Sequence, residues 1–589
     1  MLLSATRWFR RLLSGHGRAL VSVLLIIVAL VVYPAYATRD RLPVWLEEAT
    51  GETDLRQQLE GLVLLVRQRP VRTEDMAPVR YAGLYPFGAN TFFEQEVEEW
   101  KLRRSMELLR DAGVKWVRQE FPWNRIEVGA KGNFSSPQGS TWDTYDRIVA
   151  LAQDYGLELV VRLDLTPDWA GSDASTLRSP PDDFEDYGDF VAAVASRYKG
   201  RVRYYQIWNE PNLFFEWGRT PDAAEYVRLL RTAYQRAKAI DPAIVILSAA
   251  LAPTLGTPDG KNESDLTYLQ KMYDAGAGPY FDVLSAQGYG LWTGPGDRRA
   301  DPNQVNMSRV QLLREIMVRN GDSDKAVWIS ELGWDAVPPD LSEPPLHGRV
   351  TEEQQARYTV AALQRIQEEW PWAGVVFYWH FRKVSDEARR NEEFYFRMVD
   401  PDFTLRPVYF AVQSVAQQPP VLYGGGHQAD HWALRYDGPW EARSHTPTGQ
   451  PGAENYGATT RAGSRLRFTF KGSGVSLVTI TGPDAGRLAV QIDGSSLRAN
   501  RVMVRDAAGQ AVLDLKAQGQ EWGVRVPLAA GLEDTYHEVT LTALGDGEVA
   551  IGGVVVVAPQ RSFQQLLVGV GLFIGAAVAL GAALAVRRA

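Results

Sequence analysis

The 589-residue chain carries 63 Lys and Arg against 71 Asp and Glu, a formal charge of −8 with a pI near 5.6. That balance argues against a nucleic-acid binder, which shows a basic stripe, and the absence of cysteine excludes a disulfide framework and thiolate catalysis. The length permits a large core and predicts two domains plus additional segments.

Residues 1–37 hold Arg7, Arg10, Arg11 and Arg18 before an apolar run from Ala19 to Tyr33. This predicts either a signal peptide, for which Ala35-Tyr36-Ala37 has the small-x-small cleavage form, or an N-terminal membrane anchor. The run is short for a span, which needs about 20 residues. Residues 38–78 are expected to form a stalk or a barrel-packing helix, from the spacing of Leu46, Leu55, Leu59, Leu62, Val63 and Val66.

From Val79 strand and helix signals alternate, the pattern of a parallel sheet with crossover helices. Eight strands are predicted, at Arg80–Phe87, Lys115–Phe121, Glu158–Leu165, Val202–Asn209, Ile244–Ala249, Asp282–Tyr289, Val327–Glu331 and Gly374–His380. Helical stretches between them include Glu94–Ala112, Thr144–Tyr155, Asp183–Arg197, Pro221–Ile240, Ser308–Asn320 and Glu352–Glu369. The expected fold class is α/β, a (β/α)8 TIM barrel over residues 79–420. An open doubly wound sheet would want a phosphate-binding glycine turn after its first strand, and Gly83-Leu84-Tyr85-Pro86 is not one.

Near Leu422 helical periodicity stops. Short alternating strands follow (Leu466-Phe468-Phe470, Leu488-Val490-Ile492, Val539-Leu541), with turns expected at Lys471-Gly472-Ser473-Gly474 and Asp493-Gly494. They predict an antiparallel β-sandwich over residues 421–560. Residues 564–586 are expected to form a transmembrane helix: Leu566 to Val586 is uncharged, and Arg587 and Arg588 beyond it should stay cytoplasmic. The bulk of the chain would then lie outside the cell. Gly571 and Gly575 form a G-x-x-x-G step, a spacing common by chance in Gly/Ala-rich spans.

Two strand ends carry the chemistry. Tyr204-Tyr205-Gln206-Ile207-Trp208-Asn209-Glu210-Pro211 reads as a buried strand closed by a proline, and Val327-Trp328-Ile329-Ser330-Glu331-Leu332-Gly333-Trp334 ends in a second acid. In a parallel barrel those ends form the catalytic face. Two carboxylates there suit glycosidic cleavage, one protonating the leaving oxygen and the other attacking or activating water. The seven histidines lack metal-ligand spacing such as His-Glu-x-x-His, and neither a metal nor a cofactor is expected. Trp123, Trp169, Trp217, Trp292 and Trp334 follow predicted strands and are divided between packing and flat faces for sugar rings. Asp164, Asp168, Glu216 and Asp335 are read as sugar-bonding or structural acids.

Over roughly Val79 to Ala416, Asn209-Glu210 on strand four and Glu331 on strand seven give a chain that resembles glycoside hydrolase clan A, including the family 39 β-xylosidase-like and family 5 cellulase-like enzymes. Thr166-Pro167-Asp168-Trp169-Ala170 is similar to the strand-three end of family 39. The resemblance implies Glu210 as acid/base, Glu331 as nucleophile, Asn209 on the sugar 2-hydroxyl, and a retaining mechanism with carboxyls about 5–5.5 Å apart. It further implies substrate-binding or nucleophile-supporting roles for Arg118, Tyr289 and Trp379, and of the tryptophans after strands Trp169 and Trp334 are expected to bind substrate. Gln287 stands where some families have the His of His-x-Tyr. Arg118 has an alternative structural role, as an ion-pair partner of Glu120. The C-terminal segment, through Ser464–Val475 and Arg487–Gly494, resembles the β-sandwich modules of galactose- or carbohydrate-binding type, and would bind sugar or act as a spacer.

The function implied is a membrane-tethered extracellular retaining glycosidase with an oligo- or polysaccharide substrate. A transglycosylase with the same site and a non-catalytic glycan-binding surface protein are the alternatives. Sugar, linkage and oligomeric state are not legible.

Overall fold

A computed structural model of the chain describes residues 69–559, except 173–177, 342–344, 446–453, 496–502 and 508, together with scattered positions from 47 to 68. The expected N-terminal signal or anchor, the apolar positions of the 38–78 stalk and the 564–586 span lie outside the described residues. Among the described residues no helix is long and apolar enough to cross a membrane.

Eight parallel strands form the first layer: β1 (Phe87–Thr91), β2 (Trp116–Glu120), β3 (Glu158–Leu163), β4 (Tyr204–Ile207), β5 (Val245–Leu247), β6 (Leu284–Gln287), β7 (Val327–Leu332) and β8 (Ala373–Tyr378). They pair in the order 5-4-3-2-1-8-7-6. Single parallel bridges Leu247↔Val283 and Leu251↔Ala286 join β5 to β6 and close the ring. Eight helices cover it: α1 (Glu99–Asp111), α2 (Asp143–Asp154), α3 (Phe184–Arg197), α4 (Ala223–Ile240), α5 (Asp265–Asp274), α6 (Val310–Arg319), α7 (Glu352–Glu369) and α8 (Pro407–Ala416). The strands are covered on both faces, which is why β4 and β7 read as continuous apolar runs and are buried at every position.

The helices also fix the strand ends that carry the site. On α3 Tyr187 donates its hydroxyl to the Leu163 carbonyl at 2.7 Å. On α4 Tyr226 donates to the Ile207 carbonyl at 3.0 Å and accepts from the Ala249 amide at 2.6 Å, tying β4 to the chain after β5. Asp222 caps α4 through the Ala224 and Glu225 amides, and Thr351 with Gln354 forms a capping box on α7.

The first strand lies later than Arg80–Phe87. Gly88 and Ala89 have poor strand propensity, but a Cβ on Gly88 would stand 2.6 Å from the Phe377 ring on β8. Close approach of neighbouring barrel strands selects glycine there.

The second layer is a ten-stranded antiparallel sheet with its own apolar core, including Leu466, Phe470, Leu488, Leu541 and Ile551. It runs from Gly425–Gln428 to Val549–Val557. Two long strands dominate it, β9 (Arg465–Thr481) and β10 (Glu521–Ala543). Lys471–Gly474 is therefore not a turn. It lies inside β9, where the pairing register shifts between Gly472 and Gly474, and a Cβ on Gly472 would meet the Val557 carbonyl at 2.6 Å. Here glycine bends a continuous strand. Asp493-Gly494 is a turn, with φ of +51° and +70°.

The two layers belong to one compact unit, residues 69–295 with 299–559. Their seam lies at the amino ends of the barrel strands. Trp432 donates its amide to the Gly83 carbonyl at 2.7 Å and meets Tyr85 edge to face at 5.3 Å. The sheet thus covers the side of the barrel opposite the carboxyl ends of its strands.

Candidate active site

Glu331 is the penultimate residue of β7 and is buried. Its Oε1 accepts from Arg118 Nη1 at 2.8 Å and its Oε2 from the Tyr289 hydroxyl at 2.8 Å. Burial and the adjacent Glu331 charge hold the Tyr289 phenol well above its ordinary pKa, so it remains a donor. Each carboxylate oxygen therefore has one fixed donor, and the group is held in a single orientation.

Arg118, at the centre of β2, sets this geometry. Besides Glu331, its guanidinium donates to Gln206 Oε1 at 2.8 Å, Asn90 Oδ1 at 2.7 Å and Asn209 Oδ1 at 2.8 Å. Four strands are thereby locked to one planar fork. Asn90 is fixed in turn by the Ser330 and Tyr378 carbonyls, at 2.9 and 3.3 Å. The alternative Arg118–Glu120 pair does not form: Glu120 pairs with Arg162, which also reaches Asp164 at 2.8 Å.

Glu210 follows β4 across the carboxyl face. Trp208 and Glu210 both have left-handed backbone, with φ of +70° and +44°. Such conformations cost non-glycine residues about 1–3 kcal/mol each and cluster at functional sites. They are held by the Trp208 amide on the Leu163 carbonyl (3.0 Å), the Glu210 amide on the Ala250 carbonyl (3.0 Å) and the Trp208 indole on the Glu216 carbonyl (3.1 Å). The Glu210 carboxyl accepts from Gln287 Nε2. Burial, then the charges of Glu216 and Glu331, push its pKa up to about 8, against a smaller opposing pull from Gln287 and Arg118.

The two acids thus occupy opposite environments. One has a guanidinium and a phenol on its oxygens; the other meets a single neutral amide and feels two negative neighbours.

Asn209 directly precedes Glu210 and accepts from Arg118 through its Oδ1, and among the described residues no protein acceptor takes its Nδ2. Trp379 follows β8, half-buried and edge-on to Phe92 at 5.8 Å, with the Lys383 ammonium 3.7 Å from the Phe92 ring centroid. Its peptide bond to His380 is cis. Trp169 is half-buried against Trp123, with its indole on the Glu127 carbonyl at 3.1 Å.

Trp334 corrects the expectation of a sugar platform. It is 0% exposed, its indole donates to the Thr293 carbonyl at 2.8 Å, and Gly290 lies against its ring. No face is left for a ligand. Trp123 and Trp217 are equally buried, whereas Trp292 is 66% exposed. Of the nearby acids, Asp168 is exposed and Glu216 pairs with Arg178. Burial, partly opposed by Arg162, pushes Asp164 up to about 8.

Asn90 and Gln206 were not singled out in the sequence, although both hold Arg118. Gln206 was legible as a polar residue inside an apolar strand; Asn90 was hidden by the displaced first strand. One trio outside the acid pair has metal-ligand chemistry: Asp335, His347 and Glu392, whose donor atoms lie within 4.8 Å of one another.

No family model matches the chain, and no curated protein matches it. Among its neighbours in solved structures are glycoside hydrolases of families 39 and 5. A family 39 glycoside hydrolase from the gut symbiont Bacteroides cellulosilyticus WH2 is 18% identical, over 80% of this chain and 82% of that one, with a TM-score of 0.44. A monomeric β-xylosidase from Caulobacter crescentus CB15 is 13% identical over 80% and 98%, with a TM-score of 0.43. A GH5_18 protein from Streptomyces cattleya, solved with GlcNAc, is 14% identical over 59% and 83%, with a TM-score of 0.44. The chain is similar to these enzymes at low identity, and the roles assigned to its acids rest on its own residues.

Proposed function

We propose that the chain is a retaining glycoside hydrolase acting on an oligo- or polysaccharide outside the cell, tethered to the membrane. The observation that carries the chemistry is the opposed setting of Glu210 and Glu331 on one barrel face. In the first step protonated Glu210 gives its proton to the glycosidic oxygen while the Glu331 carboxylate attacks the anomeric carbon. The C–O bond to the leaving group breaks and a glycosyl ester forms on Glu331. Esterification removes the Glu331 charge, one of the two negative charges that raise Glu210. Glu210, left as the carboxylate by that transfer, then takes a proton from the incoming water, which bonds to the anomeric carbon as the ester bond to Glu331 breaks. Asn209 is assigned to the sugar 2-hydroxyl and Trp379 to the floor under the reacting ring.

A pH profile tests the acid. Because the Glu210 pKa is raised to about 8, its protonated form persists through neutrality and is lost as pH rises through that value. For a substrate with a poor leaving group, kcat/KM should fall above about pH 8. With a dinitrophenyl glycoside, which needs no protonation, that limb should be absent in the wild type. An alkaline limb that persists unchanged with that substrate would assign the titration to another group.

The tether rests on the uncharged run Leu566–Val586 followed by Arg587 and Arg588. Protease added to intact cells is expected to release the barrel. Digestion only after lysis would place it on the other side of the membrane.

A further inference from the structure

Behind the nucleophile is an acid that neither the fold nor the proposed reaction uses. Asp335 stands four residues beyond Glu331 and is 1% exposed, yet neither of its carboxylate oxygens has a hydrogen-bond partner. A buried carboxyl left this way is costly whether ionised or neutral, because neither its lone pairs nor its proton is satisfied. No Lys or Arg pairs with it among the described residues. Of the two cations whose charge reaches it, Arg397 is committed to Asp400, and Arg349 forms no ion pair with it.

Two half-buried side chains face the same point. His347, in the segment after β7, has its Nδ1 2.7 Å from Glu392 Oε1. Glu392, in the segment after β8, also accepts the Leu346 amide at 2.7 Å. One donor atom from each of Asp335, His347 and Glu392 falls within 4.8 Å of the others.

We propose that Asp335, His347 and Glu392 form a binding site for a divalent transition cation of the zinc class, with water completing its coordination. The donor set selects the class. Calcium and magnesium take oxygen ligands, whereas one imidazole with two carboxylates suits zinc. Around zinc the donors would stand about 3.3 Å apart, for bonds of about 2.0–2.1 Å in a tetrahedron. Asp335 is fixed, so small rotations of His347 and Glu392 close the set. Two carboxylates also supply the charge the cation requires, and the cation satisfies the orphaned oxygens of Asp335.

The site would fasten the segments after β7 and β8 together beside the nucleophile. Phe396, at the end of the short helical turn begun by Glu392, meets His347 at 6.0 Å and Tyr289 at 5.8 Å, both edge-on. Tyr289 holds Glu331. The cation is thus placed to stiffen the wall behind that phenol, without touching substrate. The proposal stands independently of the reaction assigned to Glu210 and Glu331.

The test is zinc binding by the full-length chain after removal of metals with a chelator, followed calorimetrically and by thermal unfolding. One zinc per chain is expected, with micromolar or tighter affinity and a Tm raised by about 2 °C or more at saturation. Asp335→Asn keeps the shape of the buried group, and His347→Gln changes a partly exposed one. Each should weaken zinc at least tenfold while leaving the metal-free circular dichroism unchanged. Absence of saturable zinc binding would overturn the proposal. So would equal affinity in the wild type and both variants, or tighter binding of calcium than of zinc.

Discussion

Glu331→Ala is expected to lower kcat/KM by roughly four to six orders of magnitude, the scale of nucleophile deletions in enzymes whose groups act as a unit. No covalent glycosyl intermediate can form without that carboxylate. The fold is expected to survive, because Arg118 keeps three amide acceptors, on Asn90, Gln206 and Asn209. The guanidinium keeps these hydrogen bonds but loses its buried counter-charge, so stability should fall by about 3–5 kcal/mol. Azide should fit the space vacated by the side chain and restore part of the activity. It would attack the anomeric carbon from the face opposite the leaving group, so the sugar azide should have inverted configuration. Circular dichroism separates lost chemistry from lost fold. A folded Glu331→Ala variant with near wild-type turnover would remove Glu331 from the reaction.

Glu210→Ala should behave differently. General acid catalysis is worth about 10²–10⁴-fold, and that loss should appear with poor leaving groups. Substrates that depart without a proton should still glycosylate Glu331. The second step then lacks its base, so the covalent intermediate should accumulate, giving a burst of leaving group and a protein mass raised by one glycosyl unit. Azide would attack that intermediate and give a product of retained configuration. Full turnover without accumulation would reassign the acid/base. Opposite azide stereochemistry from the two variants assigns both roles together.

Much of this arrangement was legible because chemistry and topology coincide at strand ends. Asn209-Glu210-Pro211 and Glu331-Leu332-Gly333 interrupt apolar runs, and in a parallel barrel such interruptions fall on the carboxyl face. Helix extents were nearly as clear: Glu352–Glu369 is found as expected, and the helix expected at Pro221–Ile240 spans Ala223–Ile240. The first strand was not. Its Gly88-Ala89 core opposes local propensity and is selected by the Phe377 ring across the pairing, a contact between residues far apart in sequence. Displacing that strand hid Asn90, whose partner Arg118 was itself legible. Similarly, Gly472 and Gly474 carry the local signal of a turn but serve a bend inside β9.

Tryptophan was ambiguous for a different reason. The same residue type fills barrel cores and lines sugar clefts, and only burial separates Trp334 from Trp379. The Asp335–His347–Glu392 trio has no sequence signature either. Its members come from two separate segments with irregular spacing, and only folding brings them together. Gln287 is instructive in the opposite direction. The Gln287 amide donates to Glu210, so the acid meets a partner whose charge does not change with pH.

The most direct test of the double-displacement account is the anomeric configuration of the first sugar released by the wild-type chain, followed by proton NMR before mutarotation. Nucleophilic attack by Glu331 and then by water inverts the centre twice, so the account predicts a first product with the configuration of the substrate. A first product of inverted configuration would contradict it, since a single displacement by water leaves no step in which Glu331 bonds to the sugar.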